Sequence, residues 1–156
     1  MPNPHRILAI DPSSTNFGYV ILDTTGVALH KGVLQPKGLP HELLLQIHEL
    51  IKQLCKDWEI DEVAMEKLGY NFAWDTGILK VVFTEVEKTV KQLDLPFYEY
   101  AVQTIYAFFK IDRKNKDKKK AVAEGVIAIW DGFDKVKRDI TDAAAVGIVH
   151  WRKKYG

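Results

Sequence analysis

Arg6-Ile7-Leu8-Ala9-Ile10-Asp11-Pro12-Ser13-Ser14 is a short apolar run stopped by an acid, a proline and two serines. Four consecutive apolar residues bounded by turn formers read as a buried strand ending in a turn. Working outward, Phe17 to Leu22 and Val27 to Val33 are two further runs rich in β-branched and aromatic residues. Asp23-Thr24-Thr25-Gly26 lies between them and reads as a hairpin turn. The first three strands are therefore expected to be sequential antiparallel neighbours.

Leu43, Leu44, Ile47, Leu50, Ile51 and Leu54 then repeat at the 3–4 spacing of one buried helical face, with Glu42, Glu49, Lys52 and Lys56 elsewhere. Glu62 to Leu68 returns to a strand pattern, and the helix before it makes a crossover to a parallel strand the natural connection. A second helix is expected from Asp75 to Leu93, with Ile78, Val82, Val86 and Val90 along one stripe. Leu95-Pro96 ends it, and Phe97 to Ala101 reads as a fifth strand. A basic stretch from Lys110 to Lys120 follows, then a helical segment from Ala121 to Trp130 and a last helix from Asp139 to Trp151. The order βββαβαβα(α) predicts an α/β domain with a mixed five-stranded sheet and helices on both faces. That is the architecture of the ribonuclease H-like fold, which hosts more than one function.

Length and composition narrow the class. The chain has 156 residues, 47% hydrophobic and 28% charged, which suits one domain spanning 1–156 with its own core. One cysteine permits neither an internal disulfide nor a Cys-based zinc cluster. No apolar run approaches the roughly 20 residues of a membrane span. A secreted disulfide scaffold, a membrane protein and a disordered chain are excluded, and a soluble cytoplasmic protein is expected. Net charge is only +1, but residues 1–109 hold 9 Lys/Arg against 14 Asp/Glu, while residues 110–156 hold 13 against 7. A balance of −5 followed by +6 separates an acidic region from a basic face, the kind of footprint a polyanion needs.

Four acids stand in unusual places. Asp11 ends the first buried strand, where ligand sites gather in such sheets. Glu66 lies in Val63-Ala64-Met65-Glu66, an apolar strand in which an acid is costly unless neutralised or paired. Asp139 and Asp142, three apart at a helix start, project from one face. Each has a purely structural reading as well. Asp11 before Pro12 can close an Asx turn, Glu66 can point to solvent, and Asp139 can cap the helix with Asp142 in its first turn. Clustered, however, the four would repel one another and need a cation. Mg²⁺ or Mn²⁺ answers that need, because hard divalent ions take oxygen ligands and share phosphate oxygens with a substrate. Two ions about 4 Å apart can activate a water and stabilise a leaving 3′ oxygen, which is metal-dependent phosphodiester hydrolysis.

The same residues carry a resemblance. Ile7-Leu8-Ala9-Ile10-Asp11-Pro12 with Gly18-Tyr19 resembles the N-terminal signature of the RuvC family of Holliday junction resolvases. Ala64-Met65-Glu66 resembles that family's second acidic motif, and Leu95-Pro96-Phe97-Tyr98-Glu99-Tyr100 with Gln103-Thr104 its fifth strand and sequel. Asp139-Ile140-Thr141-Asp142-Ala143-Ala144-Ala145-Val146 is similar to its closing Asp-x-x-Asp-Ala motif. The resemblance implies a homodimeric, Mg²⁺-dependent endonuclease that nicks two strands of a four-way DNA junction symmetrically, with Mn²⁺ as a substitute ion. Asp11, Glu66, Asp139 and Asp142 would be its catalytic metal ligands, with two ions per site, and the helix from Asp75 to Leu93 its dimer contact. A two-fold dimer suits a two-fold junction. A branch-migration helicase is a further partner of many family members.

The chain also departs from the family. Ala101-Val102 stands where Val-Lys is usual, Val81-Val82-Phe83-Thr84-Glu85 replaces a Gly-rich segment, and Gly69 takes the place of an aromatic that is displaced to Tyr70 and Phe72. These changes leave the acidic chemistry intact and bear on substrate selectivity, as in a divergent, bacteriophage-encoded branch. Lys118, Lys119 and Lys120 sit at a helix start, where positive charge opposes the helix dipole, and are expected to contact DNA phosphates. Lys119 best matches the family's basic position. Tyr70 and Phe72 are candidates to stack on unpaired bases at a branch point, whereas Trp74, Tyr106, Phe108 and Phe109 read as core. Cys55 adjoins the buried stripe of the first helix, and the five histidines show no metal-ligand spacing. No Gly-rich phosphate or dinucleotide loop occurs. Three rivals remain: a less selective branched-DNA nuclease, a non-catalytic junction-binding protein, and an actin-like phosphotransferase, disfavoured by the short chain.

Overall fold

The run Ile7–Ile10 forms the centre of a five-stranded sheet, with all four side chains withdrawn from solvent. The structure, a computed structural model, describes residues 4–12, 15–68 and 77–156. In chain order it has β1 (Arg6–Asp11), β2 (Phe17–Asp23), β3 (Ala28–Leu34), α1 (Pro40–Asp57), β4 (Glu62–Glu66), α2 (Gly77–Gln92), β5 (Phe97–Tyr100), α3 (Val102–Phe108), α4 (Lys118–Ile129) and α5 (Arg138–Lys154). The strands lie in the order β3-β2-β1-β4-β5. The β1, β2 and β3 strands are antiparallel neighbours, while β4 runs parallel to β1 and β5 parallel to β4. This is the mixed sheet expected from the sequence.

Alternation along β1 splits the core into two. Leu8 and Ile10 pack with Ile47 and Ile51 of α1 and Val82, Val86 and Val90 of α2 on one face. Ile7 and Ala9 face the other way, against Ala143, Ala144 and Val146 of α5. The small residues of α5 let its backbone come close to the sheet. A Cβ on Gly147 would stand 3.0 Å from a Leu22 methyl and 3.1 Å from the Ala9 Cβ. Of the predicted α2 stripe, Val82, Val86 and Val90 are buried and are joined by Thr89. Cys55 packs against the same core, and burial pushes its thiol up to about 11.

Some boundaries differ from the sequence reading. The sequence reading assigns no element between the fifth strand and Lys110, where the structure has α3; Val102, Ile105, Tyr106 and Phe109 follow a helical period over its short span. The fifth strand ends at Tyr100, and α4 begins at Lys118, where the Asp117 side chain accepts from the Lys120 backbone N–H at 3.0 Å. The last helix begins at Arg138 with Lys137 in the N-cap position. Asp139 is thus its second residue and Asp142 its fifth, so Asp139 does not cap the helix and Asp142 lies beyond its first turn. Among the described residues, no helix is long and apolar enough to cross a membrane. The candidate base-stacking residues Tyr70 and Phe72, together with Trp74 and the first residues of the predicted second helix, lie outside the described residues.

Candidate active site

Two strand ends and one helix start build the site. The parallel pairing of β1 with β4 matches Ile10 to Met65, which sets Asp11 and Glu66 side by side at the carboxyl ends of their strands. Both follow the alternation of Ala9 and Ala64, so both project toward the α5 face. There α5 presents Asp139 and Asp142, one turn apart.

The approach of α5 depends on Gly18. It lies opposite Asp11 in the β1–β2 ladder, and a Cβ there would fall 2.2 Å from the Asp139 carbonyl oxygen and 2.6 Å from its carbon. Only a residue without a side chain lets the first turn of α5 reach the strand ends. Asp11, Glu66, Asp139 and Asp142 accordingly line one cavity of about 380 Å³, together with Lys119 of α4 and Tyr106 of α3. Lys67, next to Glu66, also lines it, and the rest of its wall is apolar and includes Leu79 and Phe83 of α2.

The electrostatics mark the cluster as short of positive charge. Burial, then repulsion from Asp142, Glu66 and Asp139, raises the Asp11 carboxyl well above its ordinary range. Burial and Asp142 together push Glu66 up to about 7. Burial also raises Asp142, despite the Lys119 ammonium 3.6 Å from its Oδ2 atom. Lys119 is itself pulled down by burial, but Asp142, Asp11 and Glu66 outweigh that and raise it. Among the described residues, no three acidic, His or Cys side chains already stand as a closed metal-ligand set. The carboxylates instead line the cavity wall around a lysine. Four oxygen-donor groups that repel one another and draw in an ammonium fit hard divalent cations.

Glu62, on the same strand and the same side as Glu66, shows what a buried carboxylate looks like when its partners are built in. Its Oε1 accepts from the Tyr155 hydroxyl at 2.6 Å and lies 3.2 Å from Nε2 of the fully buried His150, while its Oε2 accepts from Lys154 at 2.6 Å. Burial alone would raise Glu62, yet these donors bring it below its ordinary value. Among the described residues Glu66 has no comparable set of donors, and its carboxyl lines the cavity.

Other predicted residues divide. Lys119 joins the carboxylates. Lys118 donates to the Asn115 carbonyl at 3.0 Å, and Lys120 stands exposed at the helix start. Phe108 and Phe109 pack against the α5-side core, as expected. Tyr106 packs there too but also lines the cavity, where burial and then Glu66 raise its phenol. Sequence reading assigned it to the core alone. The helical period of α3, carried one step further, would have aligned it with Val102 on the cavity side.

Comparison with known proteins agrees with this architecture. The family model for crossover junction endodeoxyribonuclease RuvC matches residues 7–150. The chain is 34% identical to the crossover junction endodeoxyribonuclease RuvC of Campylobacter curvus over 155 residues, covering 93% of this chain and 95% of the relative. It is 28% identical to that of Akkermansia muciniphila, covering 93% and 89%. Among solved structures, RuvC of T. thermophilus in complex with a Holliday junction substrate superposes with a TM-score of 0.76 at 18% identity, covering 97% of this chain and 96% of that one. The fowlpox virus resolvase, also solved with Holliday junction DNA, gives 0.61 at 12% identity, covering 95% and 97%. The fold is therefore ribonuclease H-like, as the order of elements along the sequence predicted. The chain belongs to the RuvC family of crossover junction endodeoxyribonucleases.

Proposed function

We propose that the protein is a divalent-metal-dependent endonuclease that resolves four-way DNA junctions by paired symmetric nicks, with Asp11, Glu66, Asp139 and Asp142 as its metal ligands. The observation that carries this reading is the meeting of four carboxylates from β1, β4 and α5 in one cavity, with the pKa of three of them raised by burial and mutual repulsion. Mg²⁺, or Mn²⁺ in its place, would supply Lewis-acid charge at the scissile phosphate and lower the pKa of a water. The protein's own groups do the rest. The four carboxylates hold the ions and fix where the phosphate sits. Lys118, Lys119 and Lys120, on the first turn of α4, contribute positive charge beside the cavity mouth and position the backbone without reading sequence. The apolar wall from α2 and α3 excludes water from one side of the site.

The two-fold junction calls for a two-fold enzyme, and α2 is the proposed contact, with Val81 on its outward side 44% exposed. A branch-migration helicase would be a further partner. A four-way junction labelled on each strand in turn, a three-way junction and a matched duplex, each incubated with Mg²⁺, test the reading. Paired nicks at equivalent positions on opposing strands of the four-way junction alone are expected. Equal cutting of all branched substrates would instead indicate the less selective nuclease. Binding without nicks would indicate a junction-binding protein.

A further inference from the structure

Lys119 occupies an odd position for a DNA-binding lysine. It is the second residue of α4, whose first turn carries no acid and three lysines, so its charge works against the helix dipole. Its side chain is 67% exposed, yet its ammonium turns back to within 3.6 Å of Asp142, whose side chain is 12% exposed. The influence of that ammonium extends to Asp11 and Glu66. Its neighbour Lys118 is tied to the Asn115 carbonyl instead. For both Asp11 and Glu66, Lys119 is the cation that offsets the repulsion between carboxylates. A mostly solvated four-carbon stem can leave the cavity without disturbing the core.

We propose that Lys119 is a tethered counter-ion: it holds the carboxylate cluster together until metal loads, is displaced by the entering ions, and is thereby released to engage a DNA phosphate. Metal uptake and phosphate contact are then coupled through one side chain, which cannot serve the carboxylates and the DNA at once. The inference rests on the cluster being the metal site proposed above. It adds that the protein carries its own competitor for that site.

The test is Mg²⁺ binding by isothermal titration to the whole protein without DNA, with thermal unfolding in EDTA and in Mg²⁺ alongside. Lys119→Met removes the competitor and is expected to bind Mg²⁺ about tenfold more tightly than the wild type, since a unit charge so close is worth at least that factor. In EDTA it should melt below the wild type, and Mg²⁺ should raise its Tm by a larger increment. Lys119→Arg keeps the charge and should bind Mg²⁺ like the wild type. Lys120→Met controls for the loss of one nearby charge and should also leave affinity unchanged. Unchanged or weaker Mg²⁺ affinity in Lys119→Met overturns the counter-ion role. If the wild type still makes Mg²⁺-dependent nicks, the nuclease reading survives that result. Failure of both proteins to take up Mg²⁺ overturns the metal site and the inference together.

Discussion

Replacing Gly18 by alanine should disable the site without touching any of its acids. The position does not require positive φ, so alanine is compatible with the backbone of β2 and the effect is purely one of space. The added Cβ would lie 2.2 Å from the Asp139 carbonyl oxygen, whereas ordinary contact begins near 3.4 Å. The obstacle is backbone, which cannot rotate aside as a side chain would. The start of α5 must therefore withdraw by about 1 Å, carrying Asp139 and Asp142 away from Asp11 and Glu66. Overpacking of this kind costs about 1–3 kcal/mol of stability. A displacement of about 1 Å in a catalytic constellation costs roughly 100-fold in rate. Urea unfolding gives the first quantity, and single-turnover nicking of a labelled four-way junction gives the second. Junction affinity in EDTA should change little, because the lysines of α4 are untouched. A Gly18→Ala protein as stable and as fast as the wild type would refute the idea that this glycine sets the distance between α5 and the strand ends.

Further outcomes follow from the charges. Glu66 has a folded pKa of about 7 against an ordinary value of 4.5. The folded state therefore binds the extra proton between those values, and in EDTA the stability contributed by Glu66 is complete below about pH 4.5 and lost as pH rises through about 7. Asp11 adds a loss of the same sign, Glu66→Gln should flatten the slope, and Tm measured from pH 4.5 to 8 checks both. Glu62→Ala leaves the buried His150 without its acceptor and should cost about 1–3 kcal/mol in urea unfolding, with the nicking rate of the folded fraction unchanged. Lys120→Ala should weaken junction binding uniformly and reduce the slope of log K against log salt by about 1, measured by fluorescence anisotropy across a salt series.

Much of this was legible in the sequence because its signals are local and periodic. The run at Ile7–Ile10 and the stripes of α1 and α2 each declare their own burial, and the hairpin signal at Asp23–Gly26 fixed the antiparallel pairing. The four acids stood out for the same reason: each interrupts a pattern that would otherwise be apolar or helical. What the sequence concealed depends on contacts between distant segments. Gly18 reads as an ordinary strand residue until α5 is laid against it. Glu62 and Glu66 are the same residue type on one strand, and it is the arrival of Tyr155, Lys154 and His150 from the end of α5 that gives Glu62 its built-in partners while Glu66 faces the cavity. Tyr106 reads as core in the sequence, and its second place on the cavity wall depends on how α3 lies against the carboxylates. The sequence offers Lys119 only as a candidate phosphate contact, and its turn back onto Asp142 is a tertiary fact.

The most direct test of the central claim uses four single variants, Asp11→Asn, Glu66→Gln, Asp139→Asn and Asp142→Asn, each assayed for junction binding in EDTA and for nicking in Mg²⁺. Retained or tighter binding is expected in every case, because each change removes a negative charge from the neighbourhood of phosphate, together with loss of nicking in all four. Nicking at the wild-type rate by Asp11→Asn, the carboxylate that all three others crowd, would contradict the account.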